Sequence, residues 1–174
     1  LNKIVHNLNF FKAQLQPGVK IMVMVKAFAY GSGSEEIATL LQYHRVDYLG
    51  VAYADEGVDL RKNHITIPIM VMNVTEESFQ AMLDYHLEPV IYSLNLLNAY
   101  KAFLGNQEAT VHLEIETGMK RLGLEEEELY EAATVIKNRS NIKIASVFSH
   151  LAGADESAHD AFSIQQVERY ESAY

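Results

Sequence analysis

Three residues that could carry polar chemistry each follow a short apolar run, and the first is Lys26. It comes directly after the apolar residues 22–25 and before the Gly/Ser-rich stretch 31–34. An amine at the end of an apolar strand is partly removed from water, and such an amine can act as a nucleophile or form a Schiff base. The alternative is a lysine whose charge simply reaches solvent from a strand end.

A second group of charged residues surrounds the apolar run 111–115. Glu114 and Glu116 are two positions apart, so on a strand they share one face and need a partner or a water-filled space. Arg121 could be that partner, or its planar guanidinium could bind an anionic substrate or a phenolate oxygen. A surface ion pair is the alternative for Arg121.

His150 follows a third apolar run, at 144–148. An imidazole there could stack on a flat cofactor, join a hydrogen-bond relay or bind a metal, or backbone groups could simply satisfy its ring. Asp155, His159 and Asp160 lie close by in the sequence. Their spacing matches no standard ligand set, so the sequence predicts no metal site.

The elements that must position these residues alternate along the chain. Short apolar runs predict strands, and the longer stretches between them have the period of helices. Ser34, Thr75 and Ser93 are expected N-caps, and the acidic run 125–128 suits the first turn of a helix. The predicted strands are 21–25, 48–52, 67–72, 88–92, 111–115 and 144–148. The predicted helices are 34–43, 54–62, 75–85, 93–103, 125–137 and 157–171.

The pattern favours an α/β fold, a (β/α)₈ TIM-type barrel that is here incomplete. The strands are continuously apolar, which is typical of parallel strands covered on both faces. A barrel needs eight βα units, and this chain supplies about six. The chain also lacks an initiator Met and ends within a helical pattern, so we expect 1–174 to be one partial barrel domain. Lys26, Arg121 and His150 would then lie at the carboxyl ends of three strands, where barrels carry out chemistry.

The composition excludes several classes of function. The chain has 14 Lys and Arg against 23 Asp and Glu, for a net charge of −9, and this balance disfavours nucleic-acid binding. The absence of cysteine excludes disulfides, thiol nucleophiles and cysteine metal sites. The apolar runs are too short to span a membrane and no signal peptide is visible, which predicts a cytoplasmic protein.

Three long segments match the motifs of one known family, and they do so in the right order. Residues 25–33, Val-Lys-Ala-Phe-Ala-Tyr-Gly-Ser-Gly, resemble a lysine motif written V-K-A-N/D-A-Y-G-H-G. Residues 116–123 resemble D-T-G-M-x-R-L/I-G, and 148–156 resemble T/S-H-F/L-A-x-A/S-D-E. The opening helix, 1–11, is similar to the helix after the family's first strand. The chain thus resembles the N-terminal, pyridoxal-phosphate-binding barrel of the alanine racemases.

The resemblance implies a function and a role for four residues. The protein would be an isomerase that uses pyridoxal phosphate to interconvert L- and D-alanine for peptidoglycan, the cell-wall polymer. Lys26 would hold the cofactor as a Schiff base and act as the base on one face of the substrate α-carbon. Tyr30 would help bind the cofactor phosphate. Arg121 would lie near the phenolic oxygen and the substrate carboxylate, and His150 beside the pyridine ring.

The family also implies parts that lie outside these 174 residues. The remaining barrel units would add contacts to the phosphate and the pyridine. A C-terminal β domain would supply a tyrosine as the second base, across a homodimer interface. We therefore expect the 174 residues alone to bind the cofactor poorly and to racemise little or nothing.

Three positions depart from the family pattern. Phe28 stands where Asp or Asn is usual, Ser32 where His is usual, and Glu114 where many members have a carbamylated lysine. A carboxylate at position 114 would supply the same negative charge toward Arg121 without modification. The pair Phe28 and Ser32 resembles a branch of the family fused to a peptidoglycan-building ligase.

Other functions remain open from the sequence. One is a non-catalytic pyridoxal-phosphate carrier of the same barrel type, which the segments around Tyr30 and Arg121 argue against. Another is an amino-acid decarboxylase of the same fold, whose lysine motif differs. A third is a structural or interaction barrel in which Lys26 and Arg121 are surface charges. Alanine is the favoured substrate, and serine or another small amino acid is the alternative.

Overall fold

The computed structural model of the chain describes residues 1–138 and 141–173. The chain forms two compact units. The first comprises Leu1–Asn73 and Gln80–Leu87, and the second comprises Val74–Phe79 and Glu88–Tyr174. Each unit contains three strands that pair in parallel, with helices between them in the chain, as expected for βα units.

The first unit is built on a sheet in the order β1–β2–β3. Leu49 in the middle strand pairs with Val23 on one side and Ile69 on the other. Leu49, Val51 and Ile69 are buried on one face of the sheet, and Gly50 and Met70 are buried on the other, so β2 and β3 are covered on both faces. The elements are α1 (Asn2–Lys12), β1 (Met22–Met24), α2 (Lys26–Gly31), α3 (Ser34–Tyr43), β2 (Tyr48–Val51), α4 (Ala54–Lys62) and β3 (Ile69–Val71). The helix α5 (Phe79–Asp84) lies mostly in the segment Gln80–Leu87.

The second unit is built on a sheet in the order β4–β5–β6. Val90 pairs with His112, and His112 pairs with Ser146 after a shift in register next to Val111. Tyr100 and Leu97 are fully buried. The elements are β4 (Glu88–Ile91), α6 (Leu94–Leu104), β5 (Ala109–Glu114), α7 (Glu126–Lys137), β6 (Ile142–Phe148) and α8 (Asp160–Ala173), with 3-10 turns at Glu76–Ser78 and Ser157–His159.

Hydrophobic periodicity predicted these elements closely. All six predicted strands are confirmed, and the helices Ser34–Tyr43 and Ala54–Lys62 have the predicted bounds. Ser93 is confirmed as an N-cap, since its Oγ accepts the Leu96 N–H at 3.2 Å. Thr75 also occupies an N-cap position. The prediction for Ser34 was wrong by one residue: Gly33 is the cap, with φ of 95°, a conformation that serine would find strained.

The expectation that every strand is covered on both faces holds for β2, β3, β4 and β5 but not for β1 and β6. The residues Ile69–Val71 of β3 are all buried, whereas β1 begins with Met22 at 39% exposure and β6 exposes Lys143. In the described part of the chain, we find no helix with the length and apolar character needed to cross a membrane.

Candidate functional site

Lys26 opens a segment with unusual backbone geometry. It follows β1 and begins α2, Lys26–Gly31, which we call the lysine turn. Residues 27–30 all lie in the left-handed region, with φ between 50° and 56°. For L residues other than glycine, this conformation costs roughly 1–2 kcal/mol each. Runs of such residues persist where surrounding structure enforces them, and they cluster at functional sites.

Backbone hydrogen bonds close the lysine turn. The Ala29 N–H donates to Val25 O at 3.0 Å, and the Gly33 N–H donates to Phe28 O at 3.0 Å. Ala29 is buried beneath the turn, whereas Phe28 and Tyr30 are about two-thirds exposed. The turn therefore anchors itself through its backbone and one small side chain. It leaves the phenol of Tyr30 accessible to a ligand.

Glu56 binds the lysine turn, a contact that the sequence did not predict. Its carboxylate accepts the N–H of Ala27, directly after Lys26, at 2.6 Å. It also accepts the N–H of Ala52, directly after β2, at 2.6 Å. A sequence signal exists, because Glu56 stands three residues after Tyr53, the N-cap of α4, where a glutamate commonly caps a helix. That signal predicts the cap but not the link to the lysine turn.

In the second unit, a chain of hydrogen bonds joins the segments that follow β5 and β6. Gln166 Nε2 donates to Thr117 Oγ1 at 3.1 Å, and Thr117 Oγ1 lies 2.6 Å from Ser149 Oγ. Ser149 Oγ in turn donates to Ile115 O at 2.8 Å. Because the Ser149 proton is used on Ile115, Thr117 donates to Ser149. Every donor in this series of hydrogen bonds then has an acceptor, as buried polar groups require.

Gln166 also fixes the backbone around His150. Its Nε2 donates to His150 O at 2.9 Å, and its Oε1 accepts the Ala152 N–H at 2.9 Å. The side chain is fully buried, and the amide is satisfied at both ends. The sequence offers one signal for this residue: Gln166 lies four residues from both Phe162 and Tyr170, on the face of α8 that turns inward.

The segment that carries Arg121 is folded onto the end of β5. Glu116 accepts the backbone N–H of Gly118 and that of Lys120, the latter at 2.6 Å. Leu124 returns to the strand end, where its N–H donates to Glu114 O at 2.8 Å. The turn between these contacts leaves Arg121 exposed. The prediction that both carboxylates share one strand face was wrong, because β5 ends at Glu114 and Glu116 belongs to this turn.

Glu114 is buried, with 2% of its surface exposed. Its Oε2 has no hydrogen-bond partner among the described residues. Burial raises the pKa of this carboxyl, the positive charge of Arg121 opposes that rise, and the negative charge of Glu116 adds to it. Burial also raises the pKa of Tyr92, and the charge of Glu114 raises it further. Glu114 and Arg121 are thus electrostatically coupled.

Replacing Glu114 by glutamine is expected to stabilise the protein at pH 7–8 and to change little near pH 4. The pKa of Glu114 is higher in the folded state than in the unfolded state. As pH rises past the unfolded value, the unfolded chain releases this proton first, so ionisation of Glu114 progressively costs folding free energy. Glutamine removes that cost. The unfolding midpoint measured from about pH 4 to pH 8 tests this expectation.

Glu126, an exposed residue in the first turn of α7, is the control for this experiment. Its replacement by glutamine should not give a gain in stability that grows with pH. A gain from Glu114→Gln that is equal at pH 4 and pH 8 would contradict the expectation.

His112 forms a buried polar contact with two neighbouring strands. Its Nε2 lies 2.8 Å from Glu88 Oε2 in β4, and its Nδ1 lies 2.7 Å from Ser146 Oγ in β6. A serine, a histidine and a glutamate in a row have the composition of a nucleophile triad. His112 is only 1% exposed, however, so no substrate can reach its ring. We assign this set to cross-strand packing.

The predicted site residues fall into the two units. Lys26 and Tyr30 lie in the lysine turn of the first unit. Arg121 and His150 lie in the second unit, on the two segments that the Thr117 and Gln166 hydrogen bonds join. In residues 1–138 and 141–173, no three histidine or carboxylate side chains are grouped so as to hold a metal ion.

Comparison with known proteins places the chain in a family. A family model described as alanine racemase, N-terminal domain, matches residues 1–174. An alanine racemase of Clostridium kluyveri is 34% identical over 179 aligned residues, which cover 100% of this chain and 45% of that protein. The chain therefore spans about half the length of the curated relatives it matches.

Solved structures give the same result. An alanine racemase of Clostridium difficile 630 superposes with a TM-score of 0.92 at 32% identity, over 98% of this chain and 46% of that one. A structure of a Clostridium difficile 630 alanine racemase in complex with cycloserine gives 0.91 at 34% identity, over 99% and 48%. The predicted fold class, an incomplete α/β barrel of TIM type, is confirmed by these neighbours. The chain belongs to the alanine racemase family and corresponds to its N-terminal domain.

Proposed function

We propose that the complete protein is a pyridoxal-phosphate-dependent alanine racemase, an isomerase that interconverts L- and D-alanine. The observation that carries the proposal is the lysine turn. Lys26 stands at the end of a strand and is followed by four residues in a strained left-handed conformation. The names of the relatives and of the solved neighbours support the reaction type.

The residues present fit pyridoxal phosphate. The cofactor has an aldehyde, an anionic phosphate, a phenolic oxygen and a flat ring. The chain offers an amine for the aldehyde at Lys26 and a phenol for the phosphate at Tyr30. It offers a guanidinium for the phenolic oxygen at Arg121 and an imidazole for the ring at His150. Tyr30 and Arg121 are exposed, so both can meet an anionic group.

In the proposed racemisation, each of these residues would have a separate role. When bound, pyridoxal phosphate would act as an electron sink that stabilises negative charge at the substrate α-carbon. The amine of Lys26 would hold the cofactor and carry a proton at Nζ on one face of that carbon. The guanidinium of Arg121 would orient the substrate carboxylate, with the carboxyl of Glu114 supplying the opposing charge.

One lysine serves one face of the carbon, and a racemase needs a base on each face. We place the second base, a tyrosine, in a C-terminal β domain contributed by the other subunit of a homodimer. The remaining cofactor contacts would come from the last barrel units. Activity therefore belongs to the complete protein, which we propose acts in the cytoplasm to supply D-alanine for peptidoglycan. The 174 residues alone would be inactive.

The test uses the complete protein, pyridoxal phosphate and L-alanine in deuterated water. D-Alanine carrying deuterium at the α-carbon is the expected product. Cofactor binding without deuterium exchange would instead indicate a carrier. Absence of cofactor binding would indicate a structural barrel. Parallel incubation with L-serine measures the breadth of substrates.

A further inference from the structure

We propose that Glu56 is a positioning residue for Lys26. Its carboxylate connects the lysine turn to the end of β2 and thereby holds the turn in the left-handed conformation that presents the amine. The last step of this inference, presentation of the amine to the cofactor, rests on the proposed function. The contact by which Glu56 holds the lysine turn is independent of that function.

The contacts of Glu56 reach two strand ends at once. Oε1 accepts the N–H of Ala27 at 2.6 Å. Oε2 accepts the N–H of Ala52 at 2.6 Å and that of Tyr53 at 3.3 Å. Strands β1 and β2 are already adjacent, since the Val25 N–H donates to Gly50 O at 2.8 Å. One carboxylate therefore continues the β1–β2 pairing beyond the last strand residues and into the segments that follow.

The bond between Glu56 and Ala27 acts on Lys26 because of where it lies in the lysine turn. Ala27 is both the residue next to Lys26 and the first residue with positive φ. The N–H of Ala27 belongs to the peptide that joins Lys26 to Ala27, so its bond to Glu56 fixes the orientation of that peptide. Hydrogen bonds to a charged acceptor are among the strongest in proteins, so this bond opposes relaxation where the left-handed run begins. The direction in which the chain leaves Lys26 is thereby fixed.

A carboxylate is needed because both of its oxygens accept hydrogen bonds from backbone N–H groups. Glutamine has the same length but offers one oxygen and one NH₂ group. In either orientation, its NH₂ would face the N–H of Ala27 or that of Ala52. Aspartate keeps two accepting oxygens on a side chain shorter by one methylene. Glutamine should therefore break the link, and aspartate should restore part of it.

The experiment compares the complete protein with its Glu56→Gln and Glu56→Asp variants by two measurements. The first is hydrogen exchange at the amide of Ala27 in the cofactor-free protein. The second is the concentration dependence of pyridoxal phosphate fixation on Lys26 after borohydride reduction, read by peptide mass. Glu56→Gln should speed exchange and weaken fixation by roughly 10–100-fold, the range for one hydrogen bond to a charged group. Glu56→Asp should fall between Glu56→Gln and the unmodified protein.

Glu128→Gln is the matched control. Glu128 occupies the same third position in its helix, α7, and its carboxylate accepts the N–H of the cap residue Glu125 at 3.1 Å. The control thus loses a helix cap but no contact with the lysine turn. It should leave exchange at Ala27 and fixation on Lys26 unchanged, even if its unfolding midpoint falls as much as that of Glu56→Gln.

Two results would overturn the proposal. One is unchanged exchange and fixation in a folded Glu56→Gln variant. The second result matters if the Glu56→Gln variant does not fold. In that case, a Glu56→Asp variant that matches the unmodified protein in both measurements would overturn the proposal. If the unmodified protein fixes no pyridoxal phosphate, the proposed function fails, and presentation of the amine fails with it. Exchange at Ala27 then still decides whether Glu56 holds the turn.

Discussion

The complete protein with Lys26→Ala is expected to lose racemisation by at least about 10³-fold, because in the proposed function one amine both holds the cofactor and serves as a base. Lys26 is absent from the residues with positive φ, so alanine fits its backbone conformation. Glu56 binds the backbone of Ala27 rather than the lysine side chain, so the turn should persist. Racemisation of L-alanine and borohydride fixation of pyridoxal phosphate measure the loss.

The control for this prediction is Lys20→Ala. Lys20 is an exposed lysine just before the other end of β1 and should be dispensable for both measurements. Fixation of the cofactor at another lysine in Lys26→Ala, with racemisation retained, would show that Lys26 is not the cofactor lysine.

The sequence predicts an apolar strand that ends at Lys26, and β1 does end two residues before Lys26. The shape of the lysine turn was not predictable in the same way. Alanine, phenylalanine and tyrosine all disfavour the left-handed region, so local preference argues against residues 27–30 adopting it. A contact with Glu56, 29 positions from Ala27, accompanies the conformation, and periodicity cannot detect such a pair.

The same limit applies to the second unit. Motif resemblance selects Arg121 and His150 as candidate site residues, but it does not select Gln166, which lies 49 positions from its partner Thr117. Two-residue alternation also misplaced Glu116, since the strand ends before that residue is reached. Patterns of neighbouring residues identify side chains that could react. They do not identify the polar side chains that bind the backbone of those residues, because these come from positions far away in the sequence.

The segments that carry Lys26, Arg121 and His150 are each held by a polar side chain that binds their backbone. Glu56 binds the backbone beside Lys26, Glu116 binds the backbone beside Arg121, and Gln166 binds the backbone at His150. In each case the holding side chain contacts N–H or C=O groups. The segments are thereby ordered while Tyr30 and Arg121 stay exposed. Such a division would suit the proposed cofactor site, because its backbone would not have to rearrange on binding.

Replacing Gly123 by alanine is expected to lower the free energy of unfolding by about 2–4 kcal/mol. This loss should exceed that of the same replacement at an exposed glycine with positive φ, where only backbone strain is added. Gly123 has φ of 131°, and a Cβ placed there would lie 2.6 Å from Glu116 N and 2.8 Å from Ile115 C. These atoms cannot withdraw freely, because the Glu116 N–H donates to Leu124 O at 3.0 Å. Relief requires the turn that carries Arg121 to separate from β5. Urea unfolding of the complete protein measures the loss.

Gly18→Ala separates the crowding at Gly123 from the cost of positive φ. Gly18 has φ of 88°, and a Cβ there would meet nothing within 4 Å. Its replacement should therefore cost only the backbone strain, about 1–2 kcal/mol. The difference between the two variants isolates the close approach of Gly123 to the backbone of Glu116. Equal losses of stability in the two variants would contradict the prediction, because the close approach at Gly123 would then add no cost.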